Sequence, residues 1–307
     1  MPDVVVIGAV NVDIGATSLS PLVQGDSNPG RVVTSLGGVG CNIARNLCLL
    51  GVDAAMVTVL GEDHFADTVR AAAREAGLDL SHSAVIPGAS TSTYVYVADS
   101  TGDMAVAVND MAIYDHITPD FLARRLDFIN SAKLVVIDAN LPAESIAWLC
   151  DNCAVPIVAD PVSTVKAEKL RPVLGKLFAL KPNRMEAESL SGVTIDSEEG
   201  AARAAEKLLA TGLRQVYISL SSRGICAASR TGERARFGCP KEHIVSATGG
   251  GDAMVAALTA SILRRDGLTE AAQNAICAGA FASTAETTVH PGMSWDELEK
   301  LRKSEVI

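Results

Sequence analysis

The pattern of this chain predicts an α/β fold, a three-layer αβα sandwich with a mainly parallel central sheet between two layers of helix. Three observations carry that prediction. Short unbroken apolar runs recur along the chain, helical stretches separate them, and two segments depart from the alternation. Runs without polar alternation suit strands buried on both faces. Their alternation with helices argues for parallel strands that collect ligands at their carboxyl ends.

Taken in order, the first strand covers 4–8, and Asn11 and Asp13 follow at its end. Residues 13–33 are rich in Gly, Ser and Pro and break the pattern. Glycines at 37, 38 and 40 then open a helix with Asn42 in its first turn, and Gly51 stops it. A strand over 55–60 and a helix over 65–76 come next. Residues 91–108 form the second irregular segment, where Thr93-Tyr94-Val95-Tyr96-Val97 and Met104-Ala105-Val106-Ala107-Val108 flank Thr101-Gly102-Asp103, a hairpin and its turn. The remaining strands are 134–138, 156–160, 178–180 and 215–220, with helices over 143–150, 197–210 and 269–285. No internal repeat or low-complexity linker interrupts the 307 residues, so one domain over 1–307 is expected.

Composition narrows the function classes. A hydrophobic fraction of 48% supports a large core. The apolar runs stay well short of the roughly 18 residues of a membrane helix, and Met1-Pro2-Asp3 lacks a basic leader, so a cytoplasmic protein without membrane contact is expected. A formal charge of −10 argues against nucleic acid as a partner. Seven cysteines, an odd number, suggest reduced thiols, and Cys150-Asp151-Asn152-Cys153 ends an apolar helix with no second pair to complete a metal knuckle.

The chemistry concentrates at Ser246-Ala247-Thr248-Gly249-Gly250-Gly251-Asp252, where glycines lead into a helix. Backbone N–H groups at such a turn can approach an anion, and the helix dipole favours negative charge there. A carboxylate beside that anion site is suited to take a proton from a hydroxyl attacking a phosphoryl group. Gly249, Gly250, Gly251 and Asp252 are therefore the expected catalytic set. On the other side, Asn11 and Asp13 suit a sugar diol, with Gly37, Gly38 and Asn42 completing a clamp.

Together the two glycine segments resemble the signatures of the ribokinase-like, or PfkB-type, sugar kinase family, with similarity running from Asn11 to Thr288. The resemblance implies that Gly37, Gly38 and Asn42 hold a sugar and that the Gly249–Gly251 turn and Asp252 supply an anion hole and base. It implies ATP and Mg2+ as cofactors. Asn183-Arg184-Met185-Glu186 is similar to the family's Asn-x-x-Glu motif, so Asn183 and Glu186 would serve the metal, through water. Ser219, Ser221, Gly224, Thr248, Gly249, Gly251 and Asn274 are the remaining expected nucleotide contacts, with adenine near 274–290. Ser221 stands where relatives have glycine. Ser246 replaces an aspartate that helps some relatives hold a monovalent cation, and a neutral hydroxyl is a weaker ligand, so dependence on such an ion stays open.

The irregular segments, approximately 13–34 and 90–110, would by the same resemblance build a small β-sheet lid that also joins two copies into a homodimer. Gly25-Asp26-Ser27-Asn28-Pro29-Gly30, Val108-Asn109-Asp110-Met111 and Asp160-Pro161-Val162-Ser163-Thr164-Val165-Lys166 direct the resemblance to a member acting on a uracil nucleoside. A uracil ring needs mixed donors and acceptors, and Ser27, Thr93, Asn109 and Lys166 are the expected ones. Other kinases of the family, for ribose or another nucleoside, share this core. A dinucleotide-binding oxidoreductase is disfavoured because Gly8-Ala9-Val10-Asn11-Val12-Asp13 lacks the Gly-x-Gly-x-x-Gly fingerprint. A silent sugar-binding regulator is disfavoured by the retained Asp252.

Overall fold

The structure, a computed structural model, describes residues 1–304. The chain begins β1 (Val4–Ile7), β2 (Asn11–Ser18), β3 (Gly30–Gly37), α1 (Val39–Leu49), β4 (Ala54–Val57), β5 (Val59–Leu60), α2 (His64–Glu75), β6 (Ala84–Val85), β7 (Thr93–Ala98) and β8 (Met104–Asp110). Next come α3 (Pro119–Ala123), α4 (Leu126–Ser131), β9 (Leu134–Asp138), α5 (Ala143–Asn152), β10 (Ile157–Asp160), α6 (Thr164–Ala167), β11 (Ala179–Leu180) and α7 (Arg184–Ser191). The last elements are α8 (Glu198–Leu209), β12 (Gln215–Ser219), β13 (Ile225–Ser229), β14 (Arg234–Phe237), α9 (Gly250–Leu263), α10 (Leu268–Ala282) and α11 (Trp295–Ser304).

The main sheet has the order β14-β13-β12-β11-β10-β9-β1-β4, parallel from β12 to β4 and antiparallel at β13 and β14. Its apolar runs are unbroken because both faces are covered. Val5 and Ile7 enter one core with Ile146 of α5 and Leu208 of α8, whereas Val4 and Val6 enter another with Ile43 of α1 and Val255 of α9. Alternate residues of one strand thus feed opposite layers.

A second sheet, β3-β2-β7-β8, stands apart and uses both irregular segments. Two details differ from the sequence pattern. The run 55–60 is split at Thr58, whose hydroxyl donates to the buried Gly8 carbonyl at 2.8 Å, so β4 joins β1 while β5 pairs with β6. The antiparallel hairpin β13–β14 was not anticipated; alternation in Arg234-Ala235-Arg236-Phe237 and Gly232 at φ 99° are its local signals. Among the described residues no helix is long and apolar enough to cross a membrane.

Candidate active site

Four residues at the carboxyl ends of the main sheet anchor the site. Asp138 and Asp160 are paired neighbours at the ends of β9 and β10, and Lys181 and Asn183 follow β11. Asp138 is fully buried and its carboxylate accepts from Ala9 N–H and Gly40 N–H, both at 2.8 Å, and from Asn140 N–H. It thereby fixes the turn after β1 and the start of α1. Burial pushes its carboxyl up, opposed by those N–H donors.

Gly37 ends β3 directly opposite Asn11. Asp13 folds across it so closely that any side chain at 37 would strike the Asp13 carboxylate. The arrangement puts Asn11, Asp13 and Gly37 on one face of the second sheet. Desolvation there raises the Asp13 carboxyl to about 6. Asn42, in the first turn of α1 and 4% exposed, donates from Nδ2 to Asp252 Oδ2 at 2.9 Å, leaving its Oδ1 without a protein partner. The two glycine-opened helices, whose contacting residues lie 210 apart in sequence, are therefore in direct contact.

Asp252 sits in the first turn of α9, partly exposed. Gly249 precedes that helix with φ 85°, and a Cβ there would run into the Thr288 carbonyl, so only glycine keeps this turn. Burial raises the Asp252 carboxyl to about 8; the Asp160 charge adds to the rise, while the Asn42 hydrogen bond and Lys181 oppose it.

Lys181 and Asp160 were not anticipated, although both matter to the site. Lys181 Nζ lies 3.4 Å from Asp160 Oδ2, both side chains are 6% exposed, and Nζ is 3.3 Å from where a Gly251 Cβ would stand. An ammonium thus backs the glycine turn from within. Burial pulls Lys181 down, but Asp160, Glu186 and Asp252 outweigh it and hold its pKa above the usual lysine value. The local signals were a lysine immediately after an apolar strand and an aspartate ending one. Asp160 Oδ1 also accepts from Val162 N–H at 2.7 Å. Val162 has φ 67°, and Ser163 N–H bonds back to the Pro161 carbonyl at 2.7 Å, a three-residue γ-turn that a β-branched residue adopts at a cost.

Asn183 caps α7, and Glu186 closes a capping box by accepting from Asn183 N–H at 2.8 Å while Asn183 Oδ1 accepts from Glu186 N–H at 3.0 Å. Glu186 is 3% exposed, and burial and Asp160 push its carboxyl up against Lys181. Ser219 is brought beside Asn183 by an isolated bridge, and its N–H bonds the Pro182 carbonyl at 2.9 Å. Ser221 holds φ 54° where glycine was expected, and Gly224, whose N–H bonds the Ser221 carbonyl, abuts the Phe237 carbonyl. Thr248 is exposed, its N–H on Ser246 Oγ at 3.2 Å.

Three expected contacts fall elsewhere. Asn274 does not face the glycine turn: its amide donates to Ser261 Oγ at 2.9 Å and reaches Asp266, tying α10 to the far end of α9. An asparagine between two apolar helices is held there because its donor needs a buried partner. Ser27 sits in the exposed connection at the tip of the β2–β3 hairpin, seven pairs out from Asn11–Gly37 and so roughly 23 Å away along the strands at about 3.3 Å per residue. Thr93 pairs with Val12 and Asp110, whereas Tyr94 pairs with Asp13 and Asn109; alternation therefore puts Thr93 on the face opposite Asp13 and Asn109. Lys166 is better placed, donating to Asn140 Oδ1 at 2.6 Å beside Met111 Sδ, with burial lowering its pKa.

This arrangement, an acid at a glycine-opened helix with an ammonium behind it and a polar clamp in front, defines a phosphotransferase with an alcohol acceptor. The chain belongs to the pfkB family of carbohydrate kinases, whose pattern matches residues 1–295. It is similar to the pseudouridine kinase of Escherichia coli strain K12, 37% identical over 292 residues, covering 95% of this chain and 93% of that protein. A carbohydrate kinase from Agrobacterium tumefaciens superposes with TM-score 0.86 at 28% identity, covering 98% of this chain and 97% of that one. The ribokinase of Arabidopsis thaliana, complexed with ribose and ATP, superposes with TM-score 0.87 at 21% identity, covering 98% of each chain, and bears on the fold.

Proposed function

We propose that the protein transfers the γ-phosphoryl group of ATP to the 5′-hydroxyl of pseudouridine. The observation that carries this reading is the Asn42–Asp252 contact, which sets a sugar-binding amide against a base at an anion-binding helix start. The extended similarity to the bacterial pseudouridine kinase supports the choice of nucleoside. Asp13 and Asn11 grip the ribose hydroxyls, and Asp252 accepts the proton of the attacking hydroxyl. The N–H groups of Gly249 to Asp252, backed by Lys181, stabilise charge on the phosphoryl oxygens.

The donor set suits Mg2+, which prefers oxygen ligands and keeps several waters. Glu186 spends one carboxylate interaction on the cap, and Asn183 Oδ1 is already committed, so both residues would meet the ion through water. Bound there, Mg2+ neutralises the phosphate oxygens. Lys166 and Asn140, beyond the carboxyl ends of β10 and β9, are the polar pair offered to the base.

A panel of pseudouridine, uridine, adenosine and ribose with ATP tests the assignment. Pseudouridine should give the highest kcat/KM, and a preference for ribose or adenosine would move the protein to another branch of the family.

The second sheet is read as a lid that also pairs two copies. Its register lines up Val32, Ala16, Val97 and Val106 in one row and Thr34, Ile14, Val95 and Val108 in the next. Val32, Val106 and Val108 are 65%, 55% and 67% exposed, an apolar face larger than isolated surface residues produce. A second copy covers it in this reading, since the same rows on both partners make a self-complementary contact. Sedimentation should give the mass of two chains, and Val106→Asp with Val108→Asp should give one. A wild-type monomer at micromolar concentration would remove the dimer.

A further inference from the structure

Four chain crossings join the second sheet to the body, with Gly37–Gly38 leaving β3 as one; the other three are Val10–Asn11 entering β2, Ser92 entering β7 and Asp110–Met111 leaving β8. One buried hydrogen-bond network spans those three. Tyr114, on the 3-10 turn Ala112–His116, accepts from Val10 N–H at 2.8 Å, donates to the Val10 carbonyl, and lies 3.3 Å from Asn11 Oδ1. Ser92 Oγ lies 2.9 Å from both Asn11 Oδ1 and the Asp110 carbonyl, and its own carbonyl accepts from Val12 N–H. Tyr114 and Ser92 are 2% and 1% exposed, so a bound sugar would touch neither.

Tyr114, whose single proton goes to the Val10 carbonyl, therefore fixes the backbone that carries Asn11, and the Ser92 hydroxyl holds one end of the Asn11 amide. Its other end, Nδ2, finds no hydrogen-bond partner among the described residues. An amide held this way presents its free end without first losing rotational freedom when a ligand arrives. We propose that Tyr114 and Ser92 are positioning residues that set the Asn11 amide, and with it the sugar side of the cleft, while tying the strands of the second sheet to one root. The proposal rests on the reading of Asn11 as a sugar ligand.

A double-mutant cycle tests it, with KM for pseudouridine and for ATP measured on Asn11→Ala, Tyr114→Phe, Ser92→Ala and each hydroxyl deletion combined with Asn11→Ala. Each single change should raise the nucleoside KM about tenfold with the ATP KM held within about twofold. Each double should be no worse than Asn11→Ala alone, because the hydroxyls act through that amide. Losses that add in the doubles, or an ATP KM that rises as far as the nucleoside KM, would assign the hydroxyls to general stability and overturn the proposal. An unchanged nucleoside KM in Asn11→Ala would remove Asn11 from the sugar site and this assignment with it. Ser92→Ala deletes a single oxygen, so if Tyr114→Phe fails to fold, as thermal unfolding would show, the Ser92 cycle alone decides.

Discussion

Replacing Asp252 by asparagine is expected to lower kcat by roughly 10²–10⁴-fold while leaving binding of nucleoside and ATP nearly unchanged, the loss typical of a missing general base. The carboxylate stands at the start of α9 against Asn42, and an amide of the same shape keeps the packing without accepting a proton. Steady-state kinetics with both substrates varied checks this, and near-wild-type turnover would dismiss Asp252 as the base. The same substitution has a pH signature. In the ligand-free chain the carboxyl is raised to about 8 from 3.8, so kcat/KM of the wild type should fall as pH drops through about 8 and the base becomes protonated.

Stability follows with its own sign. A raised folded-state pKa means that the folded chain holds the proton more firmly than the unfolded one, so this group's stabilising contribution is complete below about 4 and is lost as pH climbs to about 8. Asp252→Asn has no such loss. Its Tm relative to wild type should therefore improve from pH 4 to pH 9, and a difference independent of pH would refute the raised carboxyl.

Lys181→Met should give the largest loss of stability, about 3–5 kcal/mol, because it strands Asp160 without its cation in a site where both side chains are only 6% exposed. Methionine keeps most of the stem, so the loss reports the charge more than the volume. Asp160→Asn introduced on top should restore much of the stability, since the stranded charge is then gone. Chemical unfolding of the single and double variants measures this; a double variant that loses as much as both singles together would show that the pair matters through packing. Turnover of the single variant should also drop, because the ammonium behind Gly251 is removed and the Asp252 carboxyl rises further without it.

These two residues differ in how far sequence could reveal them. Asp252 stood out because its glycine-opened helix has a companion, the glycines before Asn42; alone, an acid in the first turn of a helix equally suits the helix dipole. Lys181 and Asp160 each read as an unremarkable end of an apolar run. Their role exists only because β10 and β11 are neighbours and deliver both side chains to the same buried point beneath α9. The nucleotide side shows the same limit. Asn183 and Glu186 were expected at the nucleotide from their resemblance to an Asn-x-x-Glu motif, whereas what their three-residue spacing builds locally is a capping box. Asn274 was assigned by a weakly patterned stretch of sequence, and only the packing of α10 on α9 shows that its amide bonds Ser261 at the far end of the helix.

What the sequence determined by itself was the alternation of strand and helix, the two glycine turns, and the residue types that each presents. Those are properties of period and local backbone freedom, written within ten or so neighbouring residues. Tertiary structure alone decided which separated residues meet: Asn42 with Asp252, Lys181 with Asp160, Tyr114 and Ser92 with Asn11. It also decided that Thr93 and Asn109, both expected at the base pocket, lie on opposite faces of the second sheet, because strand register sets side-chain direction and no local signal specifies it. The physical reason is common to all of these. Contacts across 21 (181 − 160) to 210 residues depend on strand order and helix packing, which minimise exposed apolar surface over the whole chain and leave no trace in any one segment.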